Sequence, residues 1–216
     1  MKKYFFLIVL SSSIIYCQKT SWFFEGAAFL TRELYKSTYV KFDLGLDYKL
    51  NHFINPEIEI NYYVGLLNDK ENINSQNIQT DILQRKFNAY GISFNPKILI
   101  SFTDDNHSSA VIIIPRYSFT KINANGTYTQ FNNIEPTKCT NEDISSNEIR
   151  HSIGIGIGII NYVSERNDDR LSINLYYDGI DFGNSLSNLK YSSQKYFVKN
   201  SFGLGLNYYF SFSNKK

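Results

Sequence analysis

Among 216 residues, side chains suited to acid–base or nucleophilic chemistry are few: three histidines and two cysteines. A histidine within hydrogen-bond reach of a serine can act as base to a nucleophile, and His107-Ser108-Ser109 brings the two types together. It falls in a polar stretch between two apolar runs and reads as a turn. His151 and Ser152 are adjacent, and in an extended chain adjacent side chains point to opposite faces, so they cannot share a proton. His52 sits in a short polar segment. The histidines are too scattered, even with Cys17 and Cys139, to make a tetrahedral metal set. Gly154-Ile155-Gly156-Ile157-Gly158 has the glycines of a phosphate loop but no helix follows it. No catalytic, cofactor-binding or metal-ligating residue is assigned, and no cofactor is expected.

Charge points the same way. The chain has 22 basic and 20 acidic residues, so no field draws it to nucleic acid. Lys2-Lys3, the apolar stretch Tyr4–Leu10 and a serine trio form the basic and hydrophobic regions of a signal peptide, with cleavage expected between Cys17 and Gln18. A lipidated Cys17 is the rival reading, disfavoured by the bulky Tyr16 before it. Residues 1–17 are thus read as the signal and 18–216 as one domain. Removing Lys2 and Lys3 leaves 20 charges of each sign and Cys139 as the single thiol, which can form no internal disulfide.

Beyond Gln18 the dominant pattern is a period of two, the mark of a strand with one apolar face. Val40, Phe42, Leu44, Leu46 and Tyr48 alternate with Lys41, Asp43, Gly45, Asp47 and Lys49. Ile58 to Leu66, Tyr90 to Phe102, Ile149 to Ile159 and Phe202 to Phe212 repeat it, and Trp22–Thr31, Val111–Lys121 and Leu171–Asp181 are weaker members. That makes eight strands. Their apolar faces run for about ten residues or more, the length of a tilted strand crossing a bilayer rather than a strand of a soluble sandwich.

The connections alternate too. Asn51–Asn55, Thr103–Ser109 and Ser164–Asp169 are short, whereas Leu67–Arg85, Ile122–Asn147 and Gly183–Gln194 are long and polar; only the first, Arg32–Ser37, is shorter than its place predicts. Tight turns on one side and long loops on the other are what a barrel shows when both termini lie in the periplasm.

In these features the chain resembles the small eight-stranded outer-membrane barrels of the OmpA membrane-domain and OmpX class. The most specific part is the last strand, where Ser201, Gly203, Leu206 and Tyr208 resemble the signal recognised by the barrel-assembly machinery. A tail, Ser213–Lys216, follows where the family commonly ends on an aromatic. The resemblance implies an all-β, antiparallel up-and-down transmembrane barrel in the outer membrane, a monomer surrounded by lipid; cell-wall anchoring of the OmpA kind is not expected. Lipid A deacylases of this architecture use a His-x-Ser pair, which makes a lipid-modifying enzyme a competing function. His107 is expected on the periplasmic side, away from such a substrate.

Eight strands leave a bore that side chains fill. The inward set is expected to hold Lys41, Asp43, Asp47, Lys49, Glu57, Glu59, Arg116, Arg150 and Asp178 as a neutralising network, with inward glycines making room for Arg116, Arg150, Tyr63 and Tyr209. Pro96 and Pro115 each remove a ladder donor and are expected opposite one another, absorbed by one bulge. Trp22, Tyr48, Phe102, Tyr117 and Tyr162 are expected in interfacial girdles. The leading reading is a non-catalytic outer-membrane protein with a structural or surface-interaction role, meeting an extracellular partner at its long loops. Against it stand a narrow ion or solute pore, in which the lumen charges line a path, and a soluble periplasmic barrel that binds a small apolar ligand.

Overall fold

The computed structural model describes residues 20–31, 38–51, 53–101, 109–132, 139–163, 169–178, 180–192 and 201–211. Among the described residues eight strands form in chain order: β1 (Thr20–Thr31), β2 (Thr38–Tyr48), β3 (Ile54–Ile73), β4 (Gln79–Ser101), β5 (Ala110–Phe131), β6 (Cys139–Tyr162), β7 (Arg170–Asp178) and β8 (Ser201–Ser211). A five-residue helix, α1 (Gly183–Ser187), lies between β7 and β8. Each strand pairs antiparallel with its sequence neighbour, and β1 pairs with β8 to close the ring. Carried round the ring, the registers that take Thr20 to Tyr48 and Tyr177 to Phe202 return to β1 at Leu30, ten residues further on. That stagger tilts the strands across the barrel axis.

Burial follows the alternation with the polarity of a soluble protein turned inside out. Ile153 is 78% exposed, Ile60 63% and Leu204 57%, while the lumen residues Lys41 and Lys97 are 0% exposed. So much contiguous apolar surface is intolerable in water and is what a hydrocarbon belt requires. Trp22, Tyr48, Tyr208 and Phe210 lie toward one rim of the belt, and Tyr62, Tyr90, Tyr117 and Phe119 toward the other. Tyr162 departs from expectation: it falls on the inward row, paired in register with Arg170. Phe102, His52 and His107 lie outside the described residues.

The third and fifth connections are corrected. Most of Leu67–Arg85 and Ile122–Asn147 is strand, leaving Asn74–Ile78 between β3 and β4 and residues 132–138 between β5 and β6. In the first of these turns Asn74 Oδ1 accepts from the N–H groups of Gln76 and Ile78, both at 2.9 Å, and Asn77 takes a φ of 58°. These upper strands escape a reading based on apolar alternation because the phase reverses where they leave the belt. Inward Leu83, Phe87, Ile122, Ala124 and Ile144 are buried, while Lys121, Asn123 and Asn125 alternate with them outward. Water on the outside and a small core on the inside demand that reversal. β7 also ends early, at Asp178 rather than Asp181, and the connection expected as a loop from Gly183 holds α1.

Pro96 and Pro115 are opposite in register, as expected, but without a bulge. Pairing stops after Phe94–Tyr117 and resumes at Ile98–Ile113 in the same register, so the ladder has a gap rather than an inserted residue. Two facing strands that both lack a donor have nothing to gain from slipping. Pro96 also stands opposite Pro56 on β3, which puts three prolines on one line across the outer face.

The inward glycines are spent differently from expectation. A Cβ at Gly45 would meet Phe23, at Gly203 Phe29, at Gly156 and Gly205 Tyr176, and at Gly65 the ring of Phe87 at 2.1 Å. They admit rings, not the guanidinium groups of Arg116 and Arg150, because a flat ring lying on a strand needs its whole backbone surface bare. Gly65→Leu is expected to lower the unfolding stability of the refolded barrel by about 1–3 kcal/mol through overpacking. Gly26→Ala, where nothing lies within 4 Å, should leave the denaturant midpoint unchanged.

Candidate functional site

Two linked ion clusters fill the lumen. In the one nearer the termini, Lys97 Nζ lies 2.9 Å from Asp47 and 2.5 Å from Glu57, and Arg170 reaches Asp47 at 2.7 Å. The ring of Tyr209 lies under both cations, 4.3 Å from Lys97 Nζ and 4.8 Å from the Arg170 guanidinium carbon, and its hydroxyl donates to Glu57 at 3.0 Å. These groups meet because Asp47 on β2 and Glu57 on β3 are register partners, while β4 and β7 present Lys97 and Arg170 from across a bore a few side chains wide.

The second cluster is richer in acid. Lys41 pairs with Glu25 at 2.7 Å and with Asp43, and Arg116 lies 3.2 Å from Glu59, 3.7 Å from Glu25 and 3.9 Å from Asp178. Glu25, Asp43 and Glu59 bring carboxylate oxygens within 4.8 Å of one another, a spacing that would suit a cation, and Lys41 and Arg116 supply the counter-charge there. Neutral donors add to these pairs. Asn61 donates to Asp43 at 3.0 Å and to Glu59 at 2.8 Å, and Tyr176 and Asn207 both donate to Glu25 at 2.8 Å. Charges taken out of water are tolerable only when paired and hydrogen-bonded in this way.

Aromatic rings close the lumen above the ions. Phe29 stacks on Tyr39 at 4.7 Å, Tyr39 meets Phe182 edge-on at 5.5 Å, and Phe182 stacks on Phe87 at 4.4 Å. Phe182 comes from the β7–β8 connection, which folds over the mouth and places α1 against β5 and β6. Leu186 and Leu189 bury there in one apolar cluster with Leu83, Ile122 and Ile144. Polar clamps hold this roof: Glu148 accepts from Asn184 at 2.9 Å and Ser185 at 3.0 Å, Lys190 lies 2.5 Å from Glu142, and Tyr191 stacks on Tyr128 at 4.0 Å. The bonds from Lys190 and Tyr191 hold the Glu142 carboxyl below its ordinary pKa.

Of the expected lumen residues, Lys41, Asp43, Asp47, Glu57, Glu59, Arg116 and Asp178 are gathered inside. Lys49 lies past the end of β2 and is half-buried. Arg150 is on the inward row but at the mouth, bonded to Glu148 and not to the lumen ions. The lumen also holds Glu25, Lys97 and Arg170, which sequence reasoning missed. Lys97 was legible, since it stands between Pro96 and Ile98 of an apolar row; Glu25 sits in a strand whose alternation is broken by Gly26 and Ala27. His151 is exposed on the outer face, its Nδ1 2.7 Å from Tyr117 Oη, while Ser152 is buried inside, so the two do not meet.

Among solved structures the chain is similar to Neisserial surface protein A (NspA), with 10% identity and a TM-score of 0.47 over 90% of this chain and 97% of that one. It is similar to Ail, the attachment invasion locus protein of Yersinia pestis, with 11% identity and a TM-score of 0.43 over 89% and 97%. A third is the N-terminal β-barrel domain of Pseudomonas aeruginosa OprF, with 13% identity and a TM-score of 0.33 over 88% and 97%. No family model and no curated protein matches the chain. The barrel is established by its own ring of pairings.

Lys97→Met leaves Asp47 and Glu57 facing each other without their shared cation, and is expected to cost about 3–5 kcal/mol in denaturant unfolding of the lipid-refolded protein. For the roof, a lowered carboxyl pKa stabilises the docked state above the unfolded-state value, and that contribution disappears as pH falls through the folded value. Proteolysis of the α1 connection should therefore accelerate below the ordinary carboxylate range, and Glu142→Gln should flatten that dependence.

Proposed function

We propose that this chain is an integral outer-membrane protein of structural or surface-interaction type, in which the barrel is an anchor and the upper parts of β3–β6 with their roof do the work outside the cell. On this reading residues 1–17 are removed as a signal peptide, the barrel-assembly machinery inserts residues 18–216, and the product is a monomer in lipid. The observation that carries the proposal is the division of the strands at the upper aromatic rim. Below it the outward rows are apolar; above it four strands continue as a sheet with a polar exterior and its own core. Extending strands beyond the belt serves the membrane no purpose, whereas it presents a rigid surface to the outside. The filled lumen supports anchoring over conduction, because Lys41, Lys97 and Asp47 are sealed from solvent beneath the rings of Phe29, Tyr39, Phe182 and Phe87.

Cys139 tests this directly, being an exposed free thiol at the far end of β6. A membrane-impermeant maleimide should label it on intact cells, whereas a cysteine placed at Asn51 in the opposite turn should react only after lysis. The reverse pattern, or labelling of neither before lysis, sinks the proposed orientation. In planar bilayers the purified barrel should show no steady conductance, and a stable channel that vanishes on neutralising Arg116 would establish the pore instead.

A further inference from the structure

The outward rows of β4, β5 and β6 change character in a fixed order. On β4 the row runs Phe94, Ile92, Tyr90, Asn88, Lys86, Gln84; on β5, Tyr117, Phe119, Lys121, Asn123, Asn125, Thr127. Register sets these side by side as rungs. Tyr90 pairs with Lys121, Asn88 with Asn123 and that with Asn147, then Lys86 with Asn125 and that with Ser145, then Gln84 with Thr127 and that with Asp143. The lowest rung is the edge of the belt, where Lys121 Nζ lies 5.8 Å from the Tyr90 ring, and one outward rung below it His151, paired with Phe119, is bonded to Tyr117. An asparagine rung follows, and above it a cleft of about 590 Å³ opens on the outer face. Its walls include Lys86, Asn125, Gln84, Thr127, Asp69 and Asp143, and the rung between them, Arg85–Gly126–Ile144, lies along its floor with its side chains on the inward row.

Position selects the occupant. This face is continuous with the lipid-facing surface, so whatever fills the cleft rises from the leaflet beside it. Lys86 is four residues beyond Tyr90, about 10 Å higher on a tilted strand at about 3.4 Å per residue. A simple phospholipid headgroup occupies only about 5–8 Å beyond the hydrocarbon. The cleft therefore sits too high for a phospholipid and at the level of a lipid whose headgroup is a saccharide. Its chemistry is ordered to match. Lys121 and Lys86 lie on the membrane side, suited to phosphate. Farther out, Asp69 accepts from Gln84 at 3.2 Å and Asp143 from Thr127 at 2.9 Å, which places carboxylate, amide and hydroxyl groups together as sugar hydroxyls need. The outward residues at the same rim on the other strands, Leu30, Val40, Val64, Tyr177 and Phe202, offer no cation.

We propose that the outward cleft above the β4–β6 rim is a binding site for the phosphorylated saccharide headgroup of an outer-leaflet glycolipid, with Lys121 and Lys86 taking phosphate and the Gln84–Thr127–Asp143 rung taking sugar hydroxyls. The site rests on the membrane seating proposed above. Native mass spectrometry of the full mature barrel in detergent, titrated with bis-phosphorylated lipid A, tests it. One lipid A should be retained per barrel, in preference to phosphatidylglycerol. Lys86→Gln with Lys121→Gln should weaken retention about tenfold, as should removal of the lipid's phosphates, and Asn125→Trp should weaken it by filling the cleft while leaving both cations. Heat-dependent migration on electrophoresis checks that each variant is still a closed barrel. Unchanged retention in both variants, or phosphatidylglycerol held as tightly as lipid A, overturns the site. A free phosphorylated disaccharide bound as tightly as the lipid also overturns it, because the cleft would then read a soluble sugar. Purification of the wild-type chain without detergent marks failure of the membrane seating instead.

Discussion

In hydrocarbon an unpaired peptide N–H or C=O costs several kcal/mol, and the pairing of β1 with β8 is how this chain avoids that cost along the whole ring. Closure then dictates the rest. A ring of eight strands can close only with tilt and stagger, and its bore is narrow enough that each inward side chain competes with those across from it. Bare backbone at Gly45, Gly65, Gly156 and Gly203 is the consequence, since rings can lie flat only where no Cβ stands in their way. Where the β4–β5 ladder is interrupted, between Pro96 and Pro115, it keeps its register on both sides. A slip there would exchange the lipid-facing and lumen-facing rows of an entire strand.

The same constraint explains why the lumen is ionic. Outward rows are committed to lipid, so polar residues needed for alternation must go inside, and inside they must neutralise one another. Lys97 is shared between Asp47 and Glu57, and Lys41 and Arg116 among Glu25, Asp43 and Glu59, with Asn61, Asn207, Tyr176 and Tyr209 adding neutral hydrogen bonds. Removing one member of such a network costs more than the pair contributes, because the survivor stays buried and charged. The network ties strands together across the bore, and the rings of Phe29, Tyr39, Phe182 and Phe87 cap it.

Above the belt the solvent changes and the strands change phase with it. β3 to β6 continue as strands, but their inward side becomes an apolar core closed by Leu186 and Leu189, and their outward side becomes polar. At this boundary a sheet in water is joined to a surface in lipid, with Tyr90, Lys121, Tyr117 and His151 marking the line between them.

The sequence by itself determined eight strands, their up-and-down order and the assignment of faces within the belt, because alternation is a local property fixed by the pleat and needs no partner to be seen. Seven of the expected lumen charges, Lys41 to Asp178, were legible for that reason. Only the tertiary structure decided which charges pair, since Lys97 and Arg170 reach Asp47 through stagger and bore width rather than through spacing along the chain. It also decided that Arg150 stays at the mouth, that the glycines serve rings, and that Leu67–Arg85 and Ile122–Asn147 are largely strand. In those segments apolar side chains are spaced as in a strand, yet which side counts as interior depends on whether lipid or water lies outside, and that is set by the height of the ring and not by any neighbour in sequence.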